Sequence, residues 1–223
     1  MKTVNKMRLS KETVAILKNF AAINSNIIIK PGDKLVTVAP SYNIYAEAKV
    51  EEQFETEIPI WDLNQFLGII SMFSNPDLEF EDKYVDISNG RSSVRYYYSD
   101  PALLKVPKKH LNTPKEIGSF HLNEDHLNEL VKAANILQVS DVKITAKNGT
   151  VSIYVDDSNN DTSNSFSILV DENYEGEDYS GKINVSEMRF VPGSYKVYLT
   201  STIMTKFVHE SGSLFYIIST KRD

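Results

Sequence analysis

Apolar residues fall at helical spacing in four stretches of the chain and alternate with polar ones through most of the rest. In SKETVAILKNFAA, Ser10 to Ala22, a step of about 100° per residue puts Thr13, Ile16, Leu17 and Phe20 on one face, the i, i+3, i+4, i+7 stripe of a half-buried helix. Lys11, Ala15, Lys18 and Ala22 fall on the opposite face, small residues alternating with lysine. WDLNQFLGIISMF carries Asp62 and Gln65 at capping-box spacing, and its stripe is Leu63, Phe66, Leu67 and Ile70. NEDHLNELVKAANILQ, from Asn123, buries Leu127, Leu130, Val131, Ala134 and Leu137. SEMRFV, Ser186 to Val191, allows a turn or two of helix before Pro192-Gly193 stops it.

Strand patterns follow each helix. NIIIK, KLVTVA and YAEAKV come after the first; DLEF, YVDIS and SSVRYYY after the second. VKITA, TVSIYV and SFSILV follow the third, with Asn148-Gly149 as a hairpin signal, and YKVYLT, TKFVHE and LFYIIS follow the fourth. ETEIPI, IGSFHL and GKINV precede three of the helices. The chain therefore reads as four copies of a helix-plus-three-strands unit, starting near residues 10, 62, 123 and 186, an internal repeat. LLKVPKKHLNTPKE, rich in Pro and Lys, is the natural break. It predicts an α+β chain of two similar domains, residues 1–102 and 117–223, joined by a linker over 103–116. Each half places two short helices on one face of a curved antiparallel sheet and leaves their other faces open.

Two of the open faces are basic or neutral, Lys11 and Lys18 on the first and Asn64, Gln65 and Gly68 on the second. The third offers Asn128, Lys132, Asn135 and Ile136 with Asp125 and Glu129 near its start, and the fourth Arg189 beside Glu187. Acidic residues concentrate in runs that read as loops, VEEQFETE, FEDKYVD, VDDSNND and VDENYEGED. A net charge of −6 argues against a protein coated in nucleic acid but leaves room for one basic surface on an acidic body. Ordinary solvated lysines on a binding protein are the plainer alternative.

The chain of 223 residues has no cysteine, which excludes disulfides, a thiolate nucleophile and a Cys-based zinc site. No run approaches the ~20 apolar residues of a membrane span, and MKTVNKMRLS lacks a signal-peptide core. A soluble intracellular protein is expected, and the glycosylation patterns at Asn148, Asn160 and Asn184 then have no enzyme to meet them. There is no GxxxxGK[ST] and no HExxH. His121 and His126 have the wrong pitch for one helical face, so no metal site is expected there. Asp157-Ser-Asn159-Asn-Asp161 begins like a calcium loop but has Thr162 for the Gly and Ile168 for the closing Glu. The carboxylates sit in solvated runs with no pair set apart, so no catalytic residue and no cofactor is expected.

LSKETVAILKNFAAINS, IWDLNQFLGIISMF, the turn from NEDHLNELVKAANILQ into VSDVKIT, and INVSEMRFVPGSYKVYL resemble the DNA polymerase sliding clamp, or processivity factor, of T-even-type bacteriophages. The similarity runs from about Met7 to about Ser219, in the same order through all four units. It implies two DNA-clamp domains per subunit and a head-to-tail homotrimeric ring, twelve helices lining a hole for duplex DNA. It implies a non-enzyme that tethers DNA polymerase, is loaded by an ATP-driven clamp loader, supports phage late transcription, and works in the cytoplasm of an infected bacterium. By position, Lys11, Lys18, Lys132 and Arg189 face DNA, with Asn128 and Asn135 beside them; Asn135 stands where a related clamp has a basic residue. MKTVNK precedes the family pattern and is expected to be poorly ordered, with Lys2 and Lys6 as spare positive charge. A non-catalytic virion structural or assembly protein is the alternative from another class.

Ring closure needs two different edges. SSVRYYY, with Val94, Tyr96 and Tyr98 on one face, and SNSFSILV, with Phe166, Ile168 and Val170, are the candidate subunit-interface strands; internal strands are the alternative. Partner peptides with apolar anchors are expected at the linker, on Leu104, Val106 and Leu111 among Lys105, Lys108 and Lys109, with Tyr42 and Ile44 closing one side. Leu103 adds to that apolar surface.

Overall fold

The computed structural model describes residues 6–107, 111, 114–156 and 163–222. Lys2, Lys108, Lys109 and the Asp157 to Asp161 loop lie outside the described residues. The chain divides into two compact units, Met1–Tyr42 with Ala46–His110, and Asn43–Tyr45 with Leu111–Asp223.

The first unit runs β1 (Lys6–Met7), α1 (Lys11–Ile23), β2 (Ile27–Ile29), β3 (Gly32–Val38), β4 (Ile44–Phe54), β5 (Ile58–Ile60), α2 (Leu63–Ser71), β6 (Asp77–Phe80), β7 (Tyr84–Ser88) and β8 (Ser93–Tyr97). Ile44 and Tyr45, at the start of β4, belong with the second unit. β1, β6, β7 and β8 form an antiparallel sheet in that order, and β2 pairs with β5, Ile27 opposite Ile60. Both helices start where the sequence supplies a cap. The Ser10 hydroxyl accepts from the Thr13 N–H at 3.0 Å and the Asp62 carboxylate from the Gln65 N–H at 3.0 Å, each satisfying a donor that a helix start leaves open. α1 and α2 pack against each other with the predicted stripes inward: Thr13, Ile16, Leu17 and Phe20 on one, Leu63, Phe66, Leu67 and Ile70 on the other. Burying each large apolar side chain stabilises the unit by about 1.5–3 kcal/mol.

The second unit runs β9 (Glu116–Leu122), α3 (Glu124–Leu137), β10 (Asp141–Lys147), β11 (Thr150–Val155), β12 (Phe166–Asp171), β13 (Tyr179–Asn184), a 3₁₀ turn (Val185–Glu187), β14 (Tyr195–Thr200), β15 (Met204–His209), β16 (Leu214–Ser219) and β17 (Lys221–Arg222). One sheet has the order β12-β11-β10-β13-β17, and β9, β14, β15 and β16 are successive neighbours in another. Asn148 and Gly149, both at positive φ (52° and 77°), form the tight turn between β10 and β11 that their dipeptide predicts. Leu127, Leu130 and Ala134 of α3 are buried, while Val131 and Leu137 are half-buried. Tyr174 lies against Gly118 and Gly176 so closely that a Cβ at 118 would be 2.0 Å from its hydroxyl oxygen.

Three expectations are corrected. The fourth helix is a three-residue 3₁₀ turn: Asn184 caps it through the Ser186 N–H at 2.9 Å, and Pro192 leaves too few residues to nucleate an α-helix. VEEQFETE is not a solvated loop: β4 extends through it to Phe54, with Glu52 buried beneath α1. Lys6 is not a loose charge: it pairs with Glu79 in β1 against β6, its ammonium 2.8 Å from the carboxylate.

Candidate nucleic-acid interface

On α1 the polar face matches the pattern. Lys11, Ala15, Lys18 and Ala22 are all exposed, and the two alanines keep the surface between the lysines low. Among the described residues Lys11, Lys18 and Lys132 make no ion pair. Cations on and beside the first unit's strands behave differently. Lys6, Arg8, Lys34 and Arg95 lie within 2.6–2.8 Å of Glu79, Asp77, Glu47 and Asp86. Lys6, Glu79, Asp86 and Arg95 form one row across β1, β6, β7 and β8, so the two adjacent carboxylates are flanked by cations. The Arg95 guanidinium donates to both oxygens of Asp86 and holds its carboxyl below the usual range; Arg8 lowers Asp77 likewise through one bond, from Nε to Oδ1. Positive charge on the first unit's strands is thus neutralised in place, while α1 offers its charge outward. α2 adds Asn64, Gln65 and Gly68, exposed and uncharged.

In the second unit Asn128, Lys132 and Asn135 share the exposed face of α3 and line one wall of a cleft of about 630 Å³. Met188, Phe190 and Val191 form the other wall, and Ile136 stands 70% exposed at the rim. Arg189 is exposed after the 3₁₀ turn, its Nε donating to the Ser186 carbonyl at 2.9 Å. Glu187 does not share that exposure. It is half-buried, accepts from the Asn43 amide at 2.5 Å, and burial pushes its carboxyl up. The acidic residue of this face is therefore turned into the unit and the basic one outward.

The two strands predicted as edges are edges of their sheets, β8 in the first unit and β12 in the second. Their faces divide as the alternation reads, and the chosen sets are turned toward the interior. Val94 and Tyr96 point inward, Tyr96 packing on Phe66 with ring centroids 5.3 Å apart, and Tyr98 beyond the strand is half-buried. Phe166, Ile168 and Val170 are half-buried on β12. The outward residues are Arg95 and Tyr97, 66% exposed, on β8 and Ser167 and Leu169 on β12. Of the proposed peptide-binding residues, Leu104 and Ile44 are buried in their own units, Val106 is half-buried, and Tyr42 and Leu111 are exposed. Sequence reasoning missed Glu52, whose only signal was an acidic residue alternating with Val50 and Phe54.

Among the described residues no group of His, Cys, Asp and Glu could hold a metal ion, and no helix is long and apolar enough to cross a membrane. The DNA polymerase processivity factor family matches residues 10–102, and the C-terminal domain of the gp45 sliding clamp matches residues 119–221. The sliding clamp of Enterobacteria phage T4 is 35% identical over 86% of this chain and 87% of that one; the clamp of Escherichia phage RB69 is 32% identical over 97% and 98%. Solved structures share the fold at low identity. An A. fulgidus PCNA structure has a TM-score of 0.77 at 15% identity, covering 98% of each chain, and a H. pylori beta clamp has 0.77 at 13%, covering all of this chain and 67% of that one. Matches to both halves and relatives along nearly the whole length place this chain in the sliding-clamp family of DNA polymerase processivity factors.

Proposed function

We propose that three copies of this chain close head to tail into a ring around duplex DNA and tether the polymerase to its template. The observation that carries this reading is the exposed, unpaired Lys11 and Lys18 on a helix whose other residues on that face are alanines. Lysine contacts to phosphate carry no sequence information, so the ring shifts register along DNA at little cost. Few contacts per subunit keep affinity low and salt-dependent, and retention comes from closure. Lys132, Arg189, Asn128 and Asn135 supply the weaker second-unit share of this surface. With a 3₁₀ turn in the fourth position, the described residues give a trimer nine α-helices and three short turns around the hole instead of twelve helices.

The heterologous joint forms between the β8 edge of one subunit and the β12 edge of the next, so that the face of Val94, Tyr96 and Tyr98 continues into that of Phe166, Ile168 and Val170, with Tyr97 and Leu169 on the other face. The ring has no catalytic activity of its own. An ATP-driven loader opens it, late-transcription factors share it with the polymerase, and all of this takes place in the cytoplasm of the infected bacterium. Partner peptides dock their apolar anchors on Leu104, Val106 and Leu111, with Tyr42 and Ile44 alongside. Family membership sets aside the virion-assembly alternative. The test is mass in solution: a closed ring has about three times the 25.2 kDa of one chain, and a mass of one chain at every concentration refutes the trimer.

A further inference from the structure

α1 begins with a cap that its own sequence only half supplies. In a capping box the side chain at the third helical position reaches back to the N–H of the capping residue. Here that position is Thr13, too short to do so, and the missing acceptor comes from another strand. Glu52 of β4, 8% exposed, takes the Ser10 N–H on one oxygen at 2.6 Å and the Thr13 hydroxyl on the other at 2.5 Å. The Thr13 N–H donates to the Ser10 hydroxyl, and that hydroxyl donates to Thr13 Oγ1, both at 3.0 Å, so four hydrogen bonds close one partly buried ring. Among the described residues no cation pairs with Glu52. Its charge is met by the positive end of the α1 peptide dipoles.

An unpaired buried carboxylate is a costly way to fill space, and an apolar residue at 52 would pack at lower cost. What the carboxylate alone supplies is a fixed first turn, and Lys11 is the first residue of that turn. We propose that Glu52 is a positioning residue for the DNA-facing surface: it locks the start of α1 onto β4 and so fixes where the Lys11 ammonium is presented. The proposal rests on the reading of α1 as facing DNA, and the test separates the two.

The full-length chain is compared as wild type, Glu52→Gln and Glu52→Ala, each with and without Lys11→Ala. Amide hydrogen exchange is read at Ser10, Thr13 and Val14, all donors within the capped turn, and at Phe66 and Leu127, whose N–H groups donate to the capping residues of α2 and α3. Loss of charge-assisted bonds predicts exchange ~10- to 100-fold faster at the first three amides in Glu52→Ala, less in Glu52→Gln, with Phe66 and Leu127 unchanged. Unchanged rates at the three amides, or equal acceleration at all five, overturns the latch. In duplex binding at low salt, Lys11→Ala weakens the wild type severalfold and the Glu52→Ala background less than ~2-fold, the non-additivity of coupled residues. A full Lys11 effect without Glu52 overturns the positioning role even if exchange behaves as stated. No Lys11 effect in the wild type overturns the DNA-facing reading itself, and the exchange arm still decides the latch. Should Glu52→Ala fail to fold, Glu52→Gln carries the same comparisons, since it keeps one acceptor for two donors.

Discussion

Replacing Lys11 and Lys18 together by glutamate reverses the charge of the exposed face of α1 and leaves its buried stripe untouched. Both side chains are exposed and form no ion pair among the described residues, so the substitution breaks no contact within the fold. The two positions are seven residues apart, roughly 10 Å along the helix axis and nearly in line, enough to reach separate phosphates. Each lost phosphate contact takes about 0.9 from the slope of log affinity against log salt, so the pair takes roughly 1.8 per engaged subunit, or about 12-fold across 50 to 200 mM. The measurement is duplex binding by fluorescence anisotropy over that salt range, with thermal unfolding and mass in solution alongside. Wild type loses affinity over the range about 12-fold more steeply than the variant, while unfolding and oligomeric mass stay as they were. Lys83→Glu with Lys147→Glu, exposed positions in hairpins of the two units, changes net charge equally and leaves the slope nearly unchanged. Equal slopes for wild type and the Lys11/Lys18 variant, or an equal loss in the control pair, would refute the claim that placement of charge on α1 is what matters.

Gly118→Ala forces the Tyr174 ring out from β9, at a cost of about 3 kcal/mol, and lowers the melting temperature by roughly 6–12 °C; a melt within a degree of wild type contradicts this. Asp77 and Asp86 have depressed carboxyl pKa values, so their contribution to stability is complete above the ordinary value of about 4 and lost as pH falls through the depressed one. Urea unfolding between neutral and acid pH therefore falls less steeply for Asp86→Asn than for wild type, and identical profiles sink the argument. Glu187 has the opposite sign: its raised pKa favours folding below the ordinary value and disfavours it as pH rises through the raised one. Glu187→Gln is accordingly more stable than wild type at neutral pH, an advantage that vanishes in acid; a constant difference across pH counts against it. Tyr97→Asp with Leu169→Asp, both outward on edge strands, shifts the mass towards one chain without lowering the melting temperature of the separated subunit.

Much of this was legible from spacing alone. The stripes of α1 and α2 are strict, and all eight residues assigned to them are buried. Asn148-Gly149 specified its turn because few dipeptides tolerate two positive φ values in succession. The lysine face of α1 was visible for the same reason as the stripe, since 3.6 periodicity fixes both sides of a helix at once. What stayed hidden depends on long-range partners. Glu52 looks like one more acid in an acidic run until β4 is placed beneath the start of α1. In SSVRYYY both alternate sets carry a tyrosine, and period two gives the two faces without naming Phe66 as the partner of one of them. Lys6–Met7 is too short to carry a period, and its strand exists through pairing with β6. The fourth repeat has a helical pattern but only a turn of structure, because a cap at Asn184 and a proline at 192 leave no length to propagate.

The central claim is that this chain holds a polymerase on DNA by enclosing the template. Run length on a singly primed circular template, measured with the matching polymerase, clamp loader and ATP, tests it directly. Products lengthen severalfold when the chain is added, only with loader and ATP present, and the gain is lost when the circle is cut so that a ring slides off the free end. Run lengths that do not change on addition of the chain, or a gain that survives on the cut template, would contradict the account.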